Sequence, residues 1–158
     1  MAFQLEKQYA KYIFSMQLSR QSDLALRVLM YAAERPAAAA TIGEIADFHR
    51  VSKNHLMVVV HRLGRAGYLD TVRGRSGGLR LSRPPAQIGV GEVVRYAESG
   101  FALVECLGPE NTCRINGQCR LKGILQDALD AFLRTLDRYT LADLVGSSGV
   151  PIVHIRKN

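Results

Sequence analysis

The chain has 158 residues, 47% hydrophobic and 22% charged, which suits one soluble globular domain or a small domain with an appended element. No apolar run approaches the roughly 18 residues of a membrane span, and residues 1–15 (MAFQLEKQYAKYIFS) lack the continuous apolar block and small-residue cleavage site of a secretory signal. Three cysteines are an odd number that a disulfide framework cannot use completely, so a cytoplasmic protein with reduced thiols is expected.

The net charge of +7 is not spread evenly. Residues 50–83 hold Arg50, Lys53, Arg62, Arg65, Arg73, Arg75, Arg80 and Arg83 against a single acid, Asp70, while the rest of the chain balances 13 basic residues with 13 acidic ones. All of the excess positive charge therefore lies in one short segment, as expected for a face that binds a polyanion. A solvated basic surface with no partner is the bland alternative.

From Ser22 onward, DLALRVLMYAAE places Leu24, Val28, Tyr31 and Ala32 on one helical stripe, with Leu26 and Leu29 beside it. RPAAAA ends that helix. Thr41 and Glu44 then form the spacing of a capping box for a short helix carrying Ile45, Ala46 and Phe48. After a turn at residues 49–51, Ser52 is the expected cap of a third helix, KNHLMVVVHRLGRAG, which Gly67 closes. Leu56, Val59, Val60 and Leu63 are its inward set, and Lys53, Asn54, His55, Val58, His61, Arg62 and Arg65 its outward one. Two short helices followed by a polar, basic helix have the helix-turn-helix arrangement.

In GYLDTVRGRSGGLRLSRP, Tyr68, Leu69 and Val72 read as one strand and Leu79 and Leu81 as a second, with RGRSGG as the turn. A hairpin tip of glycine and arginine suits a wing. Glycine lets backbone approach phosphate or a narrow groove, and arginine is drawn by the negative potential there. Pro84 and Pro85 end the wing, and residues 88–98 form a further short amphipathic helix. A long helix then starts near Cys119, with Leu121, Ile124, Leu125, Ala128, Leu129, Phe132, Leu133 and Leu136 on one stripe. So regular a stripe, set apart from the winged segment, is expected to hold a dimer together. Its alternative is packing within the same chain. Thr140 and Asp143 form a last cap, and residues 146–158 read as a loose tail.

All three cysteines, Cys106, Cys113 and Cys119, fall in CLGPENTCRINGQC, a glycine- and proline-containing loop. Thiolates are soft ligands that suit zinc or iron–sulfur. The intervals are wider than those of a zinc ribbon and fit better around a multi-iron cluster, although ordinary thiols or a redox dithiol with one spare cysteine stay open. Four ligands are usual for such a group. His49, His55 and His61 lie in or near the basic segment and His154 in the tail, so no histidine stands close in sequence to complete the set.

Taken together, residues 16–33, residues 51–84, the three-cysteine loop with CRLKGIL, and YTLADLV resemble a bacterial repressor family of winged-helix iron–sulfur regulators. Within it they are most similar to the nitric-oxide-sensing branch. That resemblance implies a homodimeric, cytoplasmic transcriptional repressor that is not an enzyme, and no nucleophile–base constellation argues otherwise. It implies one iron–sulfur cluster per subunit, [4Fe–4S] in preference to [2Fe–2S], on Cys106, Cys113, Cys119 and an aspartate from the partner subunit. The position matching that aspartate is Asp23, which by itself reads as a charge favoured by a helix N-terminus. The cluster-biogenesis branch of the family uses a histidine three residues after the third cysteine. Here that position is Lys122, which cannot ligate while protonated.

The expected fold class is mainly α with a small β-hairpin wing: a winged helix-turn-helix and a long C-terminal dimerisation helix. The expected divisions are residues 1–15 as an N-terminal extension preceding the start at Met16 usual in that family, 16–85 as the DNA-binding domain, 86–105 as a connecting helix, 106–119 as the cluster loop, 120–145 as the dimerisation helix and cap, and 146–158 as the tail. Double-stranded operator DNA is the expected partner, met through Ser52, Lys53, Asn54, His55, Arg62, Arg73 and Arg75. Nitric oxide would release that DNA. The alternatives are a regulator of the same fold sensing iron–sulfur status, iron or redox state, and a small electron carrier, for which a basic wing has no purpose.

Overall fold

The computed structural model describes residues 17–36, 38–74, 77–109 and 111–145. The N-terminal extension, the tail and Arg75 lie outside the described residues. The fold is mainly helical with one two-stranded antiparallel hairpin, as the patterning predicts.

Helix α1 spans Arg20–Ala33, and the Ser19 side chain caps it by accepting from the Ser22 backbone N–H at 3.2 Å. It is the central strut of the core: Leu24, Ala25, Val28, Leu29, Tyr31 and Ala32 are all buried. Helix α2, Ile42–His49, begins with the expected capping box. The Glu44 backbone N–H donates to the Thr41 hydroxyl, and the Thr41 N–H donates back to the Glu44 carboxylate at 2.7 Å. Between α2 and α3 (Lys53–Arg65) the chain turns at Arg50, the one non-glycine residue with positive φ among the described residues, at 53°. The Arg50 and Val51 amides donate to the carbonyls of Asp47 and Ala46, closing α2 in a Schellman arrangement that usually places glycine at this point.

Helix α3 buries Leu56, Val59, Val60 and Leu63, the inward set expected from the sequence. Its exit is also as expected in kind. Gly67 takes φ 74°, the Tyr68 N–H donates to the Leu63 carbonyl and the Gly67 N–H to the Gly64 carbonyl. Ser52 occupies the N-cap position, but its side chain makes no capping bond.

Strand β1, Leu69–Val72, pairs with β2, Gly78–Leu81, with Leu69 opposite Leu81 and Val72 opposite Gly78. The hairpin is seated by a contact that the alanine-rich linker did not suggest. Ala40 exchanges two backbone hydrogen bonds with Leu79, at 2.9 and 2.7 Å, and is itself fully buried. Gly78 passes so close that a Cβ there would stand 2.7 Å from the Ala40 carbonyl oxygen, and one on Gly77 would stand 2.5 Å from the Val72 carbonyl. The wing's glycines are therefore required by the hairpin itself, before any partner is considered.

After a short 3-10 turn at Pro85–Gln87 comes α4, Val90–Ala97, whose Val90, Val93, Val94 and Ala97 are buried. The cysteine loop leads to α5, Arg120–Leu136, and then to the single-turn helix α6, Leu141–Leu144. The chain returns to the core here: the Leu141 N–H donates to the Ile88 carbonyl at 2.7 Å and the Val90 N–H to the Tyr139 carbonyl at 2.9 Å. Arg95 of α4 grips Asp137 through both carboxylate oxygens. Along α5 itself Leu129 alone is buried, and Leu121, Ile124 and Phe132 are 58%, 63% and 43% exposed.

Candidate DNA interface and cysteine loop

The first turns of α3 point Ser52, Lys53, Asn54 and His55 to solvent, because the buried set at 56, 59, 60 and 63 turns the opposite face of the helix into the core. Lys53 lies over Gly43 of α2, where an added Cβ would come within 3.4 Å of its Nζ. Met57, Val58, His61 and Arg65 continue the exposed surface. In the wing, Arg73 and Arg80 are exposed. Apart from Met57 and Val58, these are exposed polar and basic side chains of α3 and of the hairpin that follows it.

Arg62, expected to contact DNA, is half-buried and engaged within the chain. Its guanidinium donates to the Gln21 side-chain oxygen of α1 and, at 3.3 Å, to the Tyr96 carbonyl of α4, and it lies 5.6 Å from the Tyr96 ring centre. Tyr96 in turn donates its hydroxyl to the Arg62 carbonyl at 2.8 Å. Arg62 thus joins α1, α3 and α4. Arg83 is similarly employed: it donates to Glu92 at 2.6 Å and stacks 5.1 Å above Tyr68, whose hydroxyl also donates to Glu92 at 2.9 Å. Burial alone would raise the Glu92 carboxyl, but the bonds from Arg83 and Tyr68 outweigh it and hold it below the ordinary carboxylate value. Burial and the Glu92 contact push the Tyr68 hydroxyl up. This cluster ties the base of the wing to α4, and nothing in sequence spacing signalled it.

The three cysteines are free and half-buried. Cys106 sits in the short 3-10 helix Glu105–Leu107, Cys113 opens a turn in which its carbonyl accepts from Asn116 at 3.3 Å, and Cys119 occupies the N-cap position of α5. The loop is closed by Glu105. Its Oε1 accepts from both the backbone N–H and the hydroxyl of Thr112, at 2.8 and 2.5 Å, so the residue beside Cys106 holds the residue beside Cys113. These bonds to Thr112 keep the Glu105 carboxyl below its ordinary value. Lys122 donates to Asn116 at 2.8 Å, bracing the loop's last turn rather than facing outward.

Three unpaired thiols on one loop match an iron–sulfur group in donor chemistry. Among the described residues, however, no three histidine, cysteine, aspartate or glutamate side chains converge closely enough to hold a single metal ion.

Asp23 lies in the first turn of α1, half-exposed, where it accepts from Arg27 Nε at 2.8 Å. Beside that pair stands His49 of the helix-turn-helix corner, its ring perpendicular to Phe48 at 4.8 Å and edge-on to Tyr31 at 6.1 Å. Burial first, and the Arg27 charge second, lower the His49 imidazole.

Residues 18–147 match the Rrf2 family, described as iron-dependent transcriptional regulators. The transcriptional regulator NsrR of Bacillus subtilis is 50% identical over 132 residues, covering 82% of this chain and 90% of the relative. NsrR of Bacillus licheniformis is 44% identical over 144 residues, covering 90% and 98%. Among solved structures, the global cysteine regulator CymR of B. subtilis superposes with a TM-score of 0.68 at 25% identity, over 82% of this chain and 95% of the other. IscR of T. potens superposes with a TM-score of 0.67 at 22% identity, over 81% and 85%, a likeness of fold. No described helix is long and apolar enough to cross a membrane. From the winged helix-turn-helix, the three-thiol loop and a match across most of its length, the chain belongs to the Rrf2 family of iron-dependent transcriptional regulators, and is a regulator, not an enzyme.

Proposed function

We propose that the protein is a homodimeric, DNA-binding transcriptional repressor that senses nitric oxide through an iron–sulfur cluster, [4Fe–4S] in preference to [2Fe–2S]. The observation that carries the reading is the continuity between the cysteine loop and α5. Cys119 is the N-cap residue of a 17-residue helix on whose apolar stripe Leu121, Ile124 and Phe132 stand exposed, Leu129 being the buried member. A second copy laid along that stripe would bury it, and would bring a partner subunit to the cysteine loop. The similarity to NsrR regulators at 44–50% identity supports the same reading.

Cys106, Cys113 and Cys119 would hold the cluster, with Asp23 of the opposite subunit as fourth ligand. When bound, the cluster would supply iron that reacts with nitric oxide. The work of the chain is to make that ligation reversible. Within one subunit Asp23 already has a home on Arg27, an exposed (i, i+4) ion pair worth only about 0.3–0.5 kcal/mol. Leaving that pair costs little, and the carboxylate has a place to return to when it is released. Asp23 opens α1, which packs on α3 and carries the reading head. Cross-subunit ligation therefore fixes one head relative to the other. A two-fold protein must set its recognition helices roughly 34 Å apart, one helical turn of DNA, so release of Asp23 lets the heads lose register. Ser52, Lys53, Asn54 and His55 supply base and phosphate contacts, with Arg73 and Arg75 from the wing at the minor groove. Arg62 of α3 is held by Gln21 and Tyr96.

The test is Asp23→Ala. The proposal expects cluster absorption to change and the release of bound duplex by nitric oxide to be blunted. A variant with unchanged absorption and an unchanged nitric oxide response would favour the other reading, a regulator of the same fold that senses iron–sulfur supply, iron or redox state.

A further inference from the structure

Two large apolar side chains stand exposed in the middle of the basic surface of α3. Met57 is 48% and Val58 56% exposed, although Leu56, Val59, Val60 and Leu63 on the same helix are buried. Asn54, Val58, His61 and Arg65 follow one another at i, i+4, i+7 and i+11, so Val58 lies in the middle of the outward line. Met57 flanks it one residue away.

The flanking charge selects the occupant. Lys53 and Arg65 are exposed on the same helix, and Arg73 and Arg80 on the hairpin that follows it, in the segment that carries the protein's whole excess of positive charge. A purely protein partner would have to neutralise that charge with acids. Duplex DNA does so with its phosphates and also offers, in the major groove, one apolar group among the base edges: the 5-methyl of thymine. We propose that Val58, with Met57 beside it, reads thymine 5-methyl groups in the major groove, making thymine at one or two places in each half-site a requirement for tight binding. Asn54, one turn earlier on the same line, is placed to meet the neighbouring base pair, where an amide pairs with adenine N6 and N7. The recognition line thus has a polar reader followed by an apolar one, and the preferred half-site carries adenine and thymine in adjacent positions. This rests on the DNA-binding reading above.

The experiment uses the full-length protein with iron and sulfide restored, and duplexes enriched by it from a randomised pool. Each thymine of the enriched duplex is replaced in turn by deoxyuridine, which removes the 5-methyl and leaves every hydrogen-bonding edge intact. Wild-type protein is expected to lose about fourfold in affinity at the read positions, the worth of one buried methyl group, and nothing elsewhere. Val58→Ala should bind thymine and deoxyuridine duplexes equally at its position, and Met57→Ala should do so at the neighbouring one. Both residues are exposed, so neither change disturbs the core. Uniform indifference of the wild type to deoxyuridine, or an unchanged deoxyuridine profile in both variants, would overturn the proposal while leaving DNA binding intact. Failure to enrich any duplex would instead overturn the DNA-binding reading, and this inference with it.

Discussion

Arg50 shows what the helix-turn-helix corner costs. The corner needs one residue at positive φ, and an arginine supplies it at 53°, where a side chain is disfavoured by roughly 1–2 kcal/mol. Arg50→Gly should therefore raise stability by about 1 kcal/mol once the greater freedom of glycine in the unfolded chain is offset. Chemical denaturation would show this as a higher midpoint with unchanged slope, and a lower midpoint would mean that the Arg50 side chain holds the corner in another way. Glu92 makes a prediction about pH. Its carboxyl is held below the ordinary 4.5 by Arg83 and Tyr68 despite burial, so the stabilisation is present above that value and lost as pH falls through the lowered one. The gap in thermal midpoint between wild type and Glu92→Gln should be open at pH 7, shrink below pH 4.5 and close in stronger acid. A gap that persisted unchanged at low pH would contradict the assignment. Residues of this kind were poorly legible in the sequence. Arg62 and Arg83 read as surface cations because only the packed structure brings Gln21, Tyr96, Tyr68 and Glu92 to them, across separations of up to 41 residues.

Most of the elements could be read in advance, and for local reasons. Thr41 with Glu44 and Thr140 with Asp143 are reciprocal caps written within four residues, and α1, α3 and α5 each carry a helical apolar period. Two features could not be read this way. Ala40 joins β2 through backbone bonds alone, so a run of alanines gives no side-chain pattern to find. Ser52 fills the cap position without making the cap bond, a difference of side-chain rotation that residue type does not encode. The wing's dependence on close backbone approach gives a test: Gly78→Ala would set a Cβ 2.7 Å from the Ala40 carbonyl oxygen, an overpacking that typically costs about 1–3 kcal/mol. The variant should lose both stability and duplex affinity. Unchanged stability would mean that the hairpin is not seated on Ala40. At the other end of the chain, Ile124 is 63% exposed on the open stripe of α5. Ile124→Glu should give a monomer by sedimentation with wild-type helical content, whereas a persistent dimer would place the subunit contact elsewhere.

The molecule is a compact reading head with a long C-terminal arm, and the proposed sensor lies where the arm begins. The cysteine loop is stiffened from within by Glu105 and Lys122, yet its thiols do not close a cage, and Asp23 sits on α1 paired with Arg27. In the proposed mechanism the loop would receive the signal and α1 would carry the change to α3. The three thiols were legible because they are all the cysteines present. The proposed ligand role of Asp23 rests on family likeness, since a carboxylate in the first turn of a helix has an ordinary explanation. The central claim is tested most directly by the visible absorption of anaerobically purified protein, recorded during titration with nitric oxide. The account predicts a brown protein whose cluster bands collapse into an iron-nitrosyl spectrum as bound duplex is released. A colourless protein that gains no bands after reconstitution with iron and sulfide would contradict it.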